Sequence, residues 1–394
     1  MKASILKTIA LSGLASAPVL AGSLYETAPR IGLPESYAIA WSAYANVGYD
    51  SNINSTPDRQ ESAFVRFGVR SSYGEYESAD KMSYNLALGA ICYMRSAYST
   101  NQKLFPDITL SGSYEHQMGS GSVFGASATV AYQPEPDFSN GISSARARGN
   151  TLMWNVNTTY SQPIDSRLSW NVALGTSGYR YMESEYRWDD RQYVTVSGGL
   201  AYKSSTTTTY GLNVTYRWDQ RDFGLDANNL YLNASVSHAI DSVSSCSASI
   251  GLQTKFIDGE TNFYPNARLG YNRRLTEGLS VNMYLSLDNE NIGTYYGSSN
   301  YLSDMTWRLG GRLDYRISPQ FAINGGVEWL YSNYSRGTNG LDSMHQSTYV
   351  LSAGFSYSIT RDLAWTAHYK FTDGSQWAGD YTRQIVETGF TYNF

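Results

Sequence analysis

From Ser36 to Phe394 apolar and polar residues alternate with a period of two, and no 3.6-residue apolar stripe is held for three turns. Leu279, Val281, Met283, Leu285 and Leu287 are interleaved with Ser280, Asn282, Tyr284, Ser286 and Asp288. The same phase runs through Met305, Trp307, Leu309, Gly311, Leu313 and Tyr315, and through Leu363, Trp365, Ala367, Tyr369 and Phe371. Successive side chains of a strand point to opposite faces. Each run therefore has one apolar, aromatic face and one of Gly, Ser, Thr, Asn and charge. The alternation predicts an all-β fold over these residues.

Eighteen such runs are counted, the first near 37–50 and the last near 382–394. The connections 73–80 and 117–120 and the interval 134–149 keep sixteen open as an alternative. Short connections at 162–166, 203–207, 274–277, 316–319 and 359–362 alternate with longer segments at 51–58, 95–104, 134–149, 181–189, 257–262, 291–300, 335–343 and 374–381. Tight turns at one end and long loops at the other are the pattern of a transmembrane antiparallel barrel, with both termini on the turn side. An even strand number follows. In hydrocarbon every backbone N–H and C=O must be paired internally, so the last strand has to close on the first.

Composition separates this barrel from a soluble sandwich. Charged residues make up 16% of the 394 and aromatic residues 14%, with 34 Tyr and 35 Gly. That is little charge for a soluble protein, and the mean hydropathy of -0.38 is too low for a helical membrane protein. Aromatic residues lie toward both ends of the apolar faces, as with Trp41 and Tyr49, Trp154 and Tyr160, and Trp365 and Phe371. Rings in those positions match the two interfacial girdles of a bilayer. A secreted, tyrosine-rich soluble sheet is the alternative to which these positions are opposed.

Residues 1–21 have a basic start at Lys2 and Lys7, an apolar stretch from Ile9 to Leu14 and a small-residue cleavage site ending at Ala21. The expected organisation is an export signal over 1–21, a periplasmic lead over 22–36 and a barrel over 37–394.

The last strand ends QIVETGFTYNF, with Val386, Phe390, Tyr392 and Phe394 on one face. It resembles the aromatic-terminated strand that the assembly machinery of Gram-negative outer membranes reads. The first strand ends in Gly48-Tyr49-Asp50-Ser51-Asn52-Ile53. With the tyrosine-rich strands, this hexapeptide resembles the opening hairpin of the β-barrel porin families of Gram-negative bacteria. The resemblance implies an outer-membrane location, with outer-membrane lipid, lipopolysaccharide and the assembly machinery as partners. It also implies a channel role, sometimes beside polysaccharide export.

Chemistry-bearing motifs are scarce. The four histidines, His116, His238, His345 and His368, are scattered, with no HExxH or CxxC. Cys92 and Cys246 fall outward on strands too distant for a disulfide. The pairs Gly198-Gly199, Gly310-Gly311 and Gly325-Gly326 sit inside strands, where a phosphate-cradling loop cannot form. No catalytic group, metal, cofactor or nucleic-acid partner is expected.

The inward phase instead collects charge. Arg66 and Arg70 share one strand, Arg268 and Arg274 another, and Arg308, Arg312, Asp314 and Arg316 a third, with Glu328 on the next. Lys203, Arg217, Lys370, Arg383 and Glu387 have the same phase. Such side chains either form a charged constriction for small hydrophilic solutes or pair laterally and brace the wall. A barrel of 16–18 strands normally encloses water. A porin-like channel is therefore the expected function, and a non-conducting scaffold or export partner, its lumen filled by 134–149, is the alternative.

Overall fold

A computed structural model describes residues 39–394, apart from 56, 76–78, 98–101, 135–149, 183–186, 188–189, 223–224, 290–300, 338–342 and 377–378. The expected export segment and periplasmic lead lie outside the described residues, as does nearly all of 134–149.

The eighteen strands, in chain order, are β1 (Ile39–Asp50), β2 (Ser62–Glu75), β3 (Asp80–Ala97), β4 (Gln102–Gln117), β5 (Val123–Gln133), β6 (Thr151–Pro163), β7 (Leu168–Tyr181), β8 (Arg191–Lys203) and β9 (Thr208–Arg221). They continue as β10 (Ala227–Ala239), β11 (Ser244–Ile257), β12 (Glu260–Arg274), β13 (Leu279–Asn289), β14 (Tyr301–Arg316), β15 (Phe321–Gly337), β16 (Met344–Ser358), β17 (Leu363–Gln376) and β18 (Gly379–Asn393). Each pairs antiparallel with its sequence neighbours, and β1 also pairs with β18 from Ser42↔Asn393 to Asp50↔Ile385. The sheet is a closed barrel with no edge. Its strand number is the eighteen counted from the alternation.

The register separates the two faces. Outward positions form an apolar belt that includes Ile250, Phe263 and Val327, which are 69%, 65% and 60% exposed. Inward positions are mostly polar, and several are buried where side chains crowd the lumen. Strands run from 11 residues in β5 to 18 in β3, enough for the roughly 9–11 residues that cross a hydrocarbon core.

One end carries short connections throughout, for example 164–167, 204–207, 275–278 and 359–362. The other end corrects part of the expected pattern. The segments 95–104, 257–262 and 374–381 are mostly strand, leaving connections of only 98–101, 258–259 and 377–378. At 258–259 the reason is local chemistry. Asp258 and Gly259 have φ of 51° and 75°, the left-handed pair that a two-residue hairpin turn requires. β2 also starts later than expected, because Gln60 accepts a hydrogen bond from Ile53 N–H inside the β1–β2 loop (2.8 Å).

Candidate channel lumen

The lumen is packed near the loop end and open near the turn end. At the turn end Ser113, Ser127, Thr129, Lys203, Arg274 and Arg316 are exposed on the inward register. Toward the loop end the inward Arg66, Lys255, Arg308, Lys370, Arg383 and Glu387 are all buried. Buried apolar side chains lie inside the barrel at the same end. Phe64, Ile91, Tyr93, Phe105 and Ile385 form a cluster that Ile53 completes.

Ile53 belongs to the β1–β2 loop, of which residues 51–55 fold inward over the mouth. Ser51 N–H donates to Gln384 O (2.9 Å), and Asn52 Nδ2 donates to Thr382 O (3.1 Å), tying the loop to β18. Ile53 is fully shut off from water, a burial worth about 1.5–3 kcal/mol for such a side chain. The hexapeptide that opens the resemblance thus closes the barrel seam. Gly48 admits the Phe64 ring, Asp50 is buried, and residues 51–53 fasten the loop. The alternation alone gave no sign that this loop turns inward. The even phase shared by Tyr44, Asn46 and Asp50 was the signal that Asp50 points into the lumen.

The inward charges pair with neighbours along the wall. Arg66 Nη2 lies 3.0 Å from Glu387 Oε2, and Asn46 Nδ2 donates to Glu387 Oε1 at 2.5 Å. Arg383 binds Asp50 through Nη2 (2.6 Å) and Nε (3.0 Å), and its Nη1 donates to Ser55 Oγ (3.1 Å). Arg217 holds Asp219 at 2.8 Å, and Asp219 continues through Asn229 to Gln253 by hydrogen bonds of 3.0 and 2.7 Å. Arg217 also lies near the Tyr193 and Tyr231 rings. Asn229, Gln253 and Lys255 have no motif in the sequence. Each sits on the inward phase, which is the only signal that marks them.

The sequence-selected residues divide by environment. Arg70 lies over the Tyr44 ring at 4.3 Å. Arg268 approaches Asp288 at 3.9 Å. On β14, Arg308 is buried, whereas Arg312 binds Asp314 of its own strand at 3.0 Å. Glu328 accepts a hydrogen bond from Tyr284 (2.6 Å), whose ring lies across Gly310. Arg274 and Arg316 stand at the turn-end rim, beside a cavity of about 460 Å³. Val386, Phe390, Tyr392 and Phe394 face outward and are exposed.

His368 faces inward opposite Glu387, and Cys92 and Cys246 are free thiols on the outward register. Among the described residues no group of His, Cys, Asp and Glu is arranged to hold a metal ion.

No protein-family profile and no curated protein sequence matches this chain. Solved structures do. Pseudomonas aeruginosa OccK9 (OpdG) is 10% identical, with a TM-score of 0.47 over 90% of this chain and 98% of that one. Acinetobacter baumannii OccAB3 is 9% identical, with a TM-score of 0.46 over 90% and 99%. The FrpB iron transporter of Neisseria meningitidis is 10% identical, with a TM-score of 0.43 over 90% and 82%.

Proposed function

We propose that this chain is an outer-membrane channel for passive diffusion of small hydrophilic solutes, with a lumen that favours anions. The observation that carries the reading is the contrast between the two faces of one closed barrel. The outside is an apolar belt that only lipid suits, and the inside is polar, with Lys and Arg outnumbering Asp and Glu on the inward register. The whole chain, by contrast, carries a net charge of -5. Solutes would meet a wide, hydrated vestibule at the turn end and a narrow passage at the loop end. Passive passage asks for no catalytic group.

The turn end is assigned to the periplasm and the loop end to the cell exterior. The exposed face of Val386, Phe390, Tyr392 and Phe394 would serve the assembly machinery as a sorting signal. Planar-bilayer conductance of the refolded mature chain, with a reversal potential under a salt gradient, tests the reading. Conducting steps with anion preference are expected.

A second reading has its own support. Residues 51–55 are fastened inside the mouth and the loop-end side chains are densely packed, as in a barrel that does not conduct and serves as a scaffold or export partner. A fully folded barrel without conductance above background would decide for it.

A further inference from the structure

At the turn end of β12 to β14 the cavity of about 460 Å³ is bordered by Arg274, Glu277, Ser280, Asp314 and Arg316. Register places Arg274 opposite Ser280, and Ser280 opposite Asp314, with Arg316 two residues further on the same face. Arg274 and Arg316 are therefore two strand spacings apart across the sheet and two residues apart along it, roughly 12 Å between backbones. Two long side chains at that spacing can converge on one small ligand.

Their charge is uncommitted. Arg66, Arg217, Arg312 and Arg383 each hold a carboxylate, but Arg274 and Arg316 have no acid at ion-pair distance among the described residues. Asp314, the nearest inward carboxylate, is taken by Arg312. The backbone beneath the cavity is fixed. Arg316 N–H donates to Gly278 O (2.7 Å), and a Cβ at Gly278 would lie 2.4 Å from Arg316 O. Among the described residues that border the cavity, Glu277 on the β12–β13 turn is the acid that no ion pair engages, and it opposes the two cations.

We propose that this cavity is an oxyanion site that takes a phosphate or phosphate-monoester group. Arg274 and Arg316 supply paired N–H donors in the planar fork that suits phosphate, and Ser280 adds a hydroxyl. The proposal rests on the channel reading only for the route by which the ligand arrives, from the lumen or from the periplasm.

Equilibrium dialysis of radiolabelled inorganic phosphate against the refolded barrel in uncharged maltoside micelles tests it without requiring conduction. Saturable binding is expected. Arg274→Ser/Arg316→Ser should weaken it by about tenfold or more, as expected when charge-assisted hydrogen bonds are lost. Glu277→Gln should tighten it by about two- to threefold by removing an exposed opposing charge, a gain that a folding defect cannot imitate. Heat-modifiable gel mobility checks that each variant is folded. No saturable binding, or binding unchanged in the folded double variant, overturns the site. Displacement of phosphate by phosphatidylglycerol but not by glycerol phosphate would assign the cavity to a lipid headgroup and overturn the soluble-ligand assignment. A barrel that binds phosphate but does not conduct would sink the channel and leave the site standing.

Discussion

Arg383 of the last strand grips Asp50 of the first, with Nη2 2.6 Å from Oδ2 and both side chains excluded from water. The pair spans the seam where the barrel closes, and Arg383 also reaches Ser55 of the inward loop. Removing one member of a buried ion pair leaves the other charge uncompensated, which costs about 3–5 kcal/mol. Arg383→Ala should therefore lower the urea midpoint of the refolded barrel markedly. Asp50→Asn/Arg383→Met, which removes both charges, should recover much of the loss. If Arg383→Ala leaves the midpoint where it was, the pair does not hold the seam.

Gly48 lies beside the same seam. A Cβ there would meet the Phe64 ring at 2.3 Å and Val386 O at 2.6 Å, and the second of these is backbone that cannot move aside. Gly48→Ala is expected to destabilise the barrel by about 1–3 kcal/mol, the usual cost of overpacking, and Gly48→Val to block folding. Gly119, which has open space around its Cα, is the control, and its alanine variant should fold normally. Heat-modifiable mobility of the two alanine variants side by side makes the comparison.

Acid should tighten the β7–β8 loop. Burial pushes the Asp190 carboxyl up to about 6, against the Tyr181 N–H that favours its ionised form, and Asp222 adds to the rise while Arg180 and Arg187 oppose it. A folded-state pKa above the unfolded value contributes stability that is complete below about 4 and lost as pH rises through about 6. Resistance of this loop to proteolysis should accordingly be higher at pH 4.5 than at pH 7.5. Asp190→Asn should remove most of the difference by raising resistance at pH 7.5. Equal cleavage of the wild type at both pH values would contradict the shift.

The strands and their facing were legible because period-two alternation is set by the backbone itself, and closure follows from leaving no edge unpaired. Loop lengths were less so. The Ile257-Asp258-Gly259-Glu260 hairpin read as a long loop because its polar residues mask strands that continue past the apolar belt. The inward fold of 51–55 was hidden for a different reason. Ile53 is buried by Phe64, Tyr93, Phe105 and Ile385, which come from four strands that only barrel closure brings together. Alternation showed that Arg312 and Asp314 share a face, but not that they bind each other.

Topology can be read on cells. In a chain whose outward Cys92 and Cys246 are replaced by Ala, single cysteines placed within 338–343 or at 377–378 should react with a membrane-impermeant maleimide on intact cells. Cysteines at 275–277 or 360–362 should react only after the outer membrane is opened. The reverse pattern would invert the barrel and place the Arg274 cavity outside the cell.

Ion selectivity should respond in opposite senses to the two members of one pair on β14. Arg312 Nε lies 3.0 Å from Asp314 Oδ2, with both side chains partly exposed to the lumen, while Trp307, Leu309 and Leu313 point outward. The pair presents almost no net charge to a passing ion. Arg312→Ser leaves Asp314 unopposed and should move the reversal potential toward cation preference. Asp314→Asn removes the acid that offsets Arg312 and should move it toward anions. Both groups sit in water, so neither change places charge in hydrocarbon and folding should be little affected. Arg308, four residues along and buried toward the loop end, stands in the narrower part of the lumen, and Arg308→Ser should raise conductance as well as shift selectivity. Shifts of the same sign for Arg312→Ser and Asp314→Asn would mean that the pair acts by packing rather than by charge. A loss of heat-modifiable mobility in Arg308→Ser would make that residue a brace of the wall.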